Sequence, residues 1–139
     1  MPVNMSNSIF GIKRLTKNDV SWLEPGSKSH QAGINLPLRQ FKVMFPEIVN
    51  CEGSPRLNLQ INWHGRKGGL FANTKNDVVW YNSKRELRIL HVTKEGFPPL
   101  ARAGDLLVMS RNQNFLDIYI LPIGTEKVLK VMGLGEWLP

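Results

Sequence analysis

Apolar and polar residues alternate along two stretches of the chain. In residues 56–64 (RLNLQINWH) every second residue from Leu57 to Trp63 is apolar, and polar side chains fill the positions between them. Residues 115–121 (FLDIYIL) place Leu, Ile and Ile on one side in the same way. A period of two is typical of a half-buried strand with one face in water. We therefore predict a strand in each stretch.

Weaker patterns predict six further strands, at residues 8–16, 31–36, 77–82, 86–92, 105–110 and 126–132. Short strands at this spacing, broken by Gly, Asn and Pro, predict a barrel or a sandwich. One helix is predicted at residues 38–45, because Pro37 suits its first turn and Pro46 ends it. Phe41 and Phe45 fall on one face of this helix, and we interpret them as core residues.

The composition predicts one compact domain over residues 1–139 with a polyanion as partner. A chain of 139 residues with 42% hydrophobic residues can bury one core without a disulfide or metal. Lys and Arg total 18 against 11 acidic residues, which gives a net charge of +7 and a pI near 9.9. Such a net charge favours binding to a polyanion, because neutralising its phosphate groups releases counterions. A solvated basic surface is the alternative.

Compartment and chemistry are constrained by what the sequence lacks. The single cysteine, Cys51, excludes an internal disulfide, and no leader pattern or apolar run of about 18 residues is present. We therefore expect a soluble, cytoplasmic protein that does not contact a membrane. His30, His64 and His91 have no metal-ligand spacing, and the HExxH, GxSxG and P-loop motifs are absent. We expect no catalytic residue, metal ion or cofactor in this chain.

A charged cluster at residues 81–88 (YNSKRELR) falls on a predicted strand–loop–strand corner. Arginine can grip guanine with two hydrogen bonds, and glutamate can accept a hydrogen bond from the cytosine amino group. The cluster is therefore a candidate for reading base edges. The alternative is a solvated turn with an internal Glu–Arg ion pair.

Two more polar clusters lie earlier in the chain. Residues 26–31 (GSKSHQ) form a loop rich in donors, in which Gln31 can pair with adenine while Lys28 and His30 can reach a phosphate or a base. The basic residues of the stretch 13–17, Lys13, Arg14 and Lys17, are candidates for phosphate contacts. An ordinary surface loop or strand edge is the alternative for both.

Several segments occur together in an order that points to a family. They are Ile12–Asp19 (IKRLTKND), Ser29–Ile34 (SHQAGI), Leu36-Pro37, Phe45–Ile48 (FPEI), Leu57–Ile61 and Trp80–Ser83 (WYNS), followed by Glu86, Arg88 and Ile89. This ordered set, which spans roughly residues 9–121, resembles the N-terminal DNA-recognition domain of EcoRII-type restriction endonucleases. No single segment is decisive.

The resemblance implies a mainly β fold with one or two short helices: a seven-stranded open pseudobarrel like that of plant auxin-response-factor DNA-binding domains. It implies two arms that grip the major groove from either side, and monomeric, sequence-specific binding of double-stranded DNA at CC(A/T)GG or a related site. The parent protein is then a type II site-specific deoxyribonuclease, in which this domain recognises the target or effector site. A separate, covalently linked nuclease domain carries the Mg²⁺ chemistry.

The charge pattern and the resemblance together give candidate roles for individual residues. Base reading falls to His30, Gln31, Asn35, Arg85, Glu86 and Arg88, and phosphate binding to Lys13, Arg14, Lys28, Ser29, Asn82 and Lys84. The sequence departs from the family at Leu87, where the family has a lysine, and at Asn35, a contact position with a different residue. The second arm is shorter, and Leu23–Gly26 replaces a glycine-rich stretch. These departures leave the exact target open.

Two other functions remain open at this point. The first keeps the fold but makes the protein a regulatory DNA-binding protein without a nuclease partner. The second is a small hydrolase or sugar-binding barrel whose basic surface is incidental.

Overall fold

The computed structural model describes residues 9–28, 31–65 and 69–125. Seven strands account for about half of these residues: β1 (Ile9–Arg14), β2 (Gln31–Leu36), β3 (Arg56–His64), β4 (Leu70–Tyr81), β5 (Glu86–Thr93), β6 (Leu106–Asn112) and β7 (Phe115–Leu121). Two short helices, α1 (Lys17–Val20) and α2 (Leu38–Phe41), each run on into a 3-10 turn, at Ser21–Leu23 and Lys42–Met44. Within this part of the chain, no helix has the length and apolar character needed to cross a bilayer.

The strands form one mixed sheet in the order β1-β6-β7-β3-β4-β5-β2. Every neighbouring pair is antiparallel except β3 and β7, which run parallel. The sheet curls into an open half-barrel with two short helices. The predicted mainly β fold, a seven-stranded open pseudobarrel, is therefore confirmed.

A buried lysine joins the two edge strands of the sheet. Lys13 on β1 donates from Nζ to the backbone oxygen of Asn35 on β2 (2.5 Å) and to Oδ1 of Asp19 on α1 (3.0 Å). Asp19 is held in place by a capping box, in which its carboxylate accepts from the Thr16 backbone N–H (2.7 Å) and the Thr16 hydroxyl accepts from the Asp19 N–H. We call this junction of β1, α1 and β2 the seam.

The core lies between the inner face of the sheet and the helical segment. Inward residues of the alternating strands, such as Ile61, Trp63 and Ile118, are fully buried. Phe41 and Phe45 are also fully buried, so the prediction that they belong to the core is confirmed. α2 approaches β1 so closely that a Cβ at Gly11 would overlap the Phe41 ring.

Some element boundaries differ from the sequence predictions. The predicted helix at 38–45 is the short α2 followed by a 3-10 turn that ends at Met44, before Pro46. The predicted strand at 77–82 is only the second half of β4, whose first residues are largely exposed and show weak alternation. α1 was not predicted, although the Thr16–Asp19 spacing is that of a capping box. The predicted strand at 126–132 lies outside the described residues.

β5 pairs with β2 on one side along most of its length but with β4 on the other side only in its first half. Its first half pairs with β4, from Tyr81 with Glu86 to Val78 with Ile89. Its second half continues only with β2, where the register shifts between Ala32 and Ile34. This shift places one extra residue in β5, and His91 there has a left-handed φ of 58°. We call the antiparallel β2–β5 pair the ribbon.

Candidate nucleic-acid interface

Residues 81–88 form the strand–loop–strand corner that the sequence predicts. The loop at 82–85 joins Tyr81 to Glu86, which are paired across the hairpin. The Lys84 N–H donates to the Tyr81 carbonyl (3.1 Å) and the Arg85 N–H donates to the Asn82 carbonyl (3.3 Å). Four-residue hairpin loops with tight turns of this kind hold the two strands in a fixed register.

Side-chain contacts fix the conformation of this hairpin loop. Arg85 has a φ of 52°, and its guanidinium lies 5.5 Å from the centroid of the buried Trp80 ring. Its Nη2 donates to Oδ1 of Asn50 (2.9 Å), and Trp80 Nε1 donates to Oδ1 of Asn82 (3.1 Å). Lys84 is exposed, with its ammonium 6.0 Å from the Tyr81 ring. The loop therefore presents its cations from a well-braced backbone.

Glu86 and Arg88 lie on the outer face of β5, two residues apart. Arg88 Nε donates to Oε2 of Glu86 (3.1 Å), and the two side chains are 39% and 31% exposed. Because successive strand residues alternate between faces, the buried Leu87 between them points inward. The ion pair orients the guanidinium without burying it, which leaves its outer edge at the surface.

Asn35 stands directly across from Arg88 in the β2–β5 register. Both residues line a cleft of about 640 Å³ along the seam, together with Lys13, Arg14, Thr16, Asn18, Asp19, Gly33 and Pro37. Gly33 is exposed and lies on the outer face with Asn35, since the buried Ile34 between them points inward. The structure thus brings the predicted residues Arg14, Asn35 and Arg88 together around one polar cleft, beside Glu86.

The structure gives Lys13 an environment unlike that of a phosphate anchor. Its side chain is only 7% exposed, and its ammonium is held by Asp19 and by the carbonyl of Asn35. A lysine that neutralises a buried carboxylate has little freedom to reach a phosphate. Arg14 is exposed at the cleft, and its Nη1 donates to the Gly104 carbonyl (3.1 Å).

The loop that precedes β2 holds the other predicted arm. Lys28 is exposed there, whereas Ser29, His30 and the side chain of Gln31 lie outside the described residues. The Gln31 backbone pairs with Thr93, so this loop meets the ribbon at the end remote from Glu86. Seven residues of strand separate those ends, a length of roughly 20 Å. The start of β2 and the hairpin loop at 82–85 therefore lie at opposite ends of the ribbon, with Asn35 and Arg88 near the hairpin end.

Asp77 is a second acidic residue on the outer face, and neighbouring side chains donate hydrogen bonds to it. Asp77 on β4 accepts from Asn58 (3.0 Å) and from Arg56 (3.1 Å) on β3. The hydrogen bond from Asn58, followed by that from Arg56, holds the pKa of Asp77 below its ordinary value. These contacts keep the carboxylate charged and paired.

Another titratable pair lies where β3 meets β7. His64 Nε2 is 3.0 Å from Oδ1 of Asp117, and the His64 ring stacks on Tyr119 at 4.1 Å between centroids. Burial, and then the charge of Asp117, raises the pKa of the Tyr119 hydroxyl. Over residues 9–28, 31–65 and 69–125, no three His, Cys, Asp or Glu side chains are grouped closely enough to hold a metal ion.

Sequence reasoning did not identify every residue that shapes this interface. Asn50, which has a φ of 68°, holds Arg85 from 35 residues away, and no local pattern signals that contact. Asp19 carries a detectable signal, because Thr16 and Asp19 have capping-box spacing. Its pairing with Lys13 depends on how the two sheet edges meet.

No protein-family model and no curated protein matches this sequence. The likeness to EcoRII-type enzymes stays a prediction from the sequence segments quoted above.

Proposed function

We propose that the protein binds double-stranded DNA in a sequence-specific manner. The observation that carries the proposal is the placement of Arg88 and Asn35 side by side on the ribbon, at a polar cleft with Arg14. The cationic hairpin loop that contains Lys84 and Arg85 adjoins this face. Paired arginine and amide groups read base edges, while surrounding cations bind phosphates.

Each side chain has a role that follows from its surroundings. Arg88, oriented by Glu86, donates two hydrogen bonds to a guanine, and Glu86 accepts from a cytosine amino group. Asn35 pairs with adenine. Arg14 and Lys84 are exposed and neutralise phosphates, which fixes the register of the protein on the duplex without selecting a sequence. Lys13 supports the cleft from within the seam.

The biological setting follows from the resemblance. We propose a target- or effector-recognition domain of a type II restriction endonuclease that reads CC(A/T)GG or a related site in the major groove. The two arms, at opposite ends of the ribbon, hold the duplex from either side. The domain binds as a monomer and is linked covalently to a nuclease domain in the parent protein.

Binding to a CC(A/T)GG duplex and to a scrambled duplex, each at two salt concentrations, tests the proposal. If a selection from a random duplex pool yields another site, that site replaces CC(A/T)GG. The wild-type protein is expected to prefer the selected site and to lose affinity steeply with salt. A protein without preference among duplexes, or without salt dependence, overturns the proposal.

Arginine substitutions test the division of roles. Arg88→Ala is expected to weaken binding to the selected site by about 5- to 150-fold, the equivalent of one bidentate base contact, with a small effect on the scrambled duplex. Arg56→Ala is the matched control, because Arg56 forms an equivalent 3.1 Å ion pair with Asp77 on the same face. Arg14→Ala is expected to weaken both duplexes equally and to lower the salt slope by about 1. Equal losses on both duplexes for Arg88→Ala would remove its base-reading role.

A further inference from the structure

β4 and β5 separate midway along the sheet. In the described chain their backbone pairing stops at Val78 and Ile89, and β5 continues with β2 alone. At this point β5 carries its extra residue, and Leu90 and His91 direct their carbonyl groups toward β4. A bulge of this kind bends the strand and leaves backbone groups without ladder partners.

One buried side chain bridges the gap between the two strands. Asn76 on β4 is 5% exposed, and its Nδ2 donates to the carbonyl of Leu90 (3.0 Å) and to that of His91 (3.2 Å). The amide thus supplies donors to two carbonyls near the point where the sheet ladder ends. Buried backbone oxygens need such partners, since leaving them unpaired is unfavourable.

The Asn76 amide is itself oriented from the core. Its Oδ1 accepts from the Thr74 hydroxyl (2.6 Å), which in turn accepts from Trp63 Nε1 (2.8 Å). Trp63 is fully buried against Phe97, with 5.6 Å between ring centroids. Each group donates to the next, so the chain runs in one direction from the Trp63 indole to the β5 carbonyls. We call these three side chains the relay.

We propose that the relay is a positioning device for DNA reading, a role that rests on the proposed function. It fixes the angle at which the ribbon leaves the main sheet. The ribbon carries Arg88 near one end and, through Gln31, the first arm at the other. The relay therefore holds the half of the ribbon that begins at Gln31 at a fixed angle to the half that carries Arg88. Asn76 points inward, opposite to Asp77, so it acts on DNA only through β5.

Thr74→Val is the sharpest test, because it keeps the shape of the side chain and removes the hydroxyl that orients Asn76. We expect binding to the scrambled duplex to stay close to that of the wild type, while the preference for the selected site falls about tenfold, as for one displaced base contact. Hydrogen exchange of the amides at Leu90–Thr93 should accelerate, while exchange in β6, which pairs with β1 and β7 and not with the strands of the relay, should not change. Thr74→Ser, which restores the hydroxyl, is expected to recover both properties.

Asn73→Ala is the matched control, since Asn73 is exposed on the same strand and bonds only outward to Asn62 among the contacts described. It should leave the preference unchanged. If Thr74→Val discriminates as the wild type does, the relay has no positioning role, although DNA binding itself stands. If the wild type shows no preference, the proposed function fails instead. If Thr74→Val does not fold, Asn76→Ser, which keeps one donor, takes its place with the same two outcomes.

Discussion

Lys13→Met separates a structural role for Lys13 from a role in binding phosphate. Methionine keeps an unbranched, apolar stem in the seam and removes only the charged group. The substitution leaves the Asp19 carboxylate, which is 7% exposed, without its cation, and it leaves the Asn35 carbonyl without its donor. We therefore expect the protein to become less stable, with little direct effect on contacts to DNA.

The size of this loss can be worked out from the contacts that remain. Removing one partner of a buried ion pair typically destabilises a protein by about 3–5 kcal/mol. Asp19 keeps hydrogen bonds from the Thr16 N–H (2.7 Å) and the Thr16 hydroxyl (3.0 Å), which offset part of the loss. We therefore expect the low end, about 3 kcal/mol, which lowers Tm by roughly 10 °C for a domain of this size.

Urea unfolding of the wild type, Lys13→Met and the double variant Lys13→Met/Asp19→Asn provides the measurement. The double variant should recover part of the lost stability, because it removes the uncompensated charge. Arg14→Met, on the adjacent exposed residue, is the control and should change stability by less than about 0.5 kcal/mol. Unchanged stability for Lys13→Met, combined with weaker binding to every duplex, would contradict this reasoning and make Lys13 a phosphate contact.

Two further predictions concern packing and pH. Gly11→Ala should lower the free energy of unfolding by about 1–3 kcal/mol, because the new methyl group overlaps the Phe41 ring. Gly65→Ala is the control and should leave the free energy of unfolding unchanged, because its methyl group meets no atom within 4 Å. Equal urea midpoints for the two variants would refute this. The lowered pKa of Asp77 adds stability at neutral pH that disappears as pH falls through the folded-state pKa. Asp77→Asn should therefore be less stable than the wild type at pH 7 but not at about pH 2. An equal loss of stability at both pH values, measured by urea unfolding, would contradict a stabilising role for the Asp77 charge.

The strands that sequence reasoning could locate are those whose alternation is imposed by burial. Ile61 on β3 and Ile118 on β7 are fully buried, and their polar neighbours face outward, so the pattern is visible without the structure. The first half of β4 extends beyond β5 and has Leu70 and Phe71 largely exposed. Ala72 and Thr74 in this half face the core, but no run of buried apolar residues marks the first residues of β4, so its start was not predictable.

The same distinction holds for the candidate interface. Glu86 and Arg88 share a face because strand residues alternate, which their spacing alone indicates. The position of Asn35 opposite Arg88 depends on which strands pair and was not predicted, although the family resemblance had made Asn35 a candidate contact. The burial of Lys13 depends on the two edges of the sheet meeting, which is a tertiary property that local sequence does not encode.

The order of strands in the sheet also has a consequence for biosynthesis. Ile9 pairs with Arg111, and Gln60 at the centre of the sheet pairs in parallel with Phe115. In a nascent chain, β1 must therefore wait for β6 to leave the ribosome, and β3 must wait for β7. Contacts between such distant parts of a chain slow folding and leave apolar strand faces exposed meanwhile. Fragments that end before β6 should accumulate as aggregates rather than as a smaller folded unit.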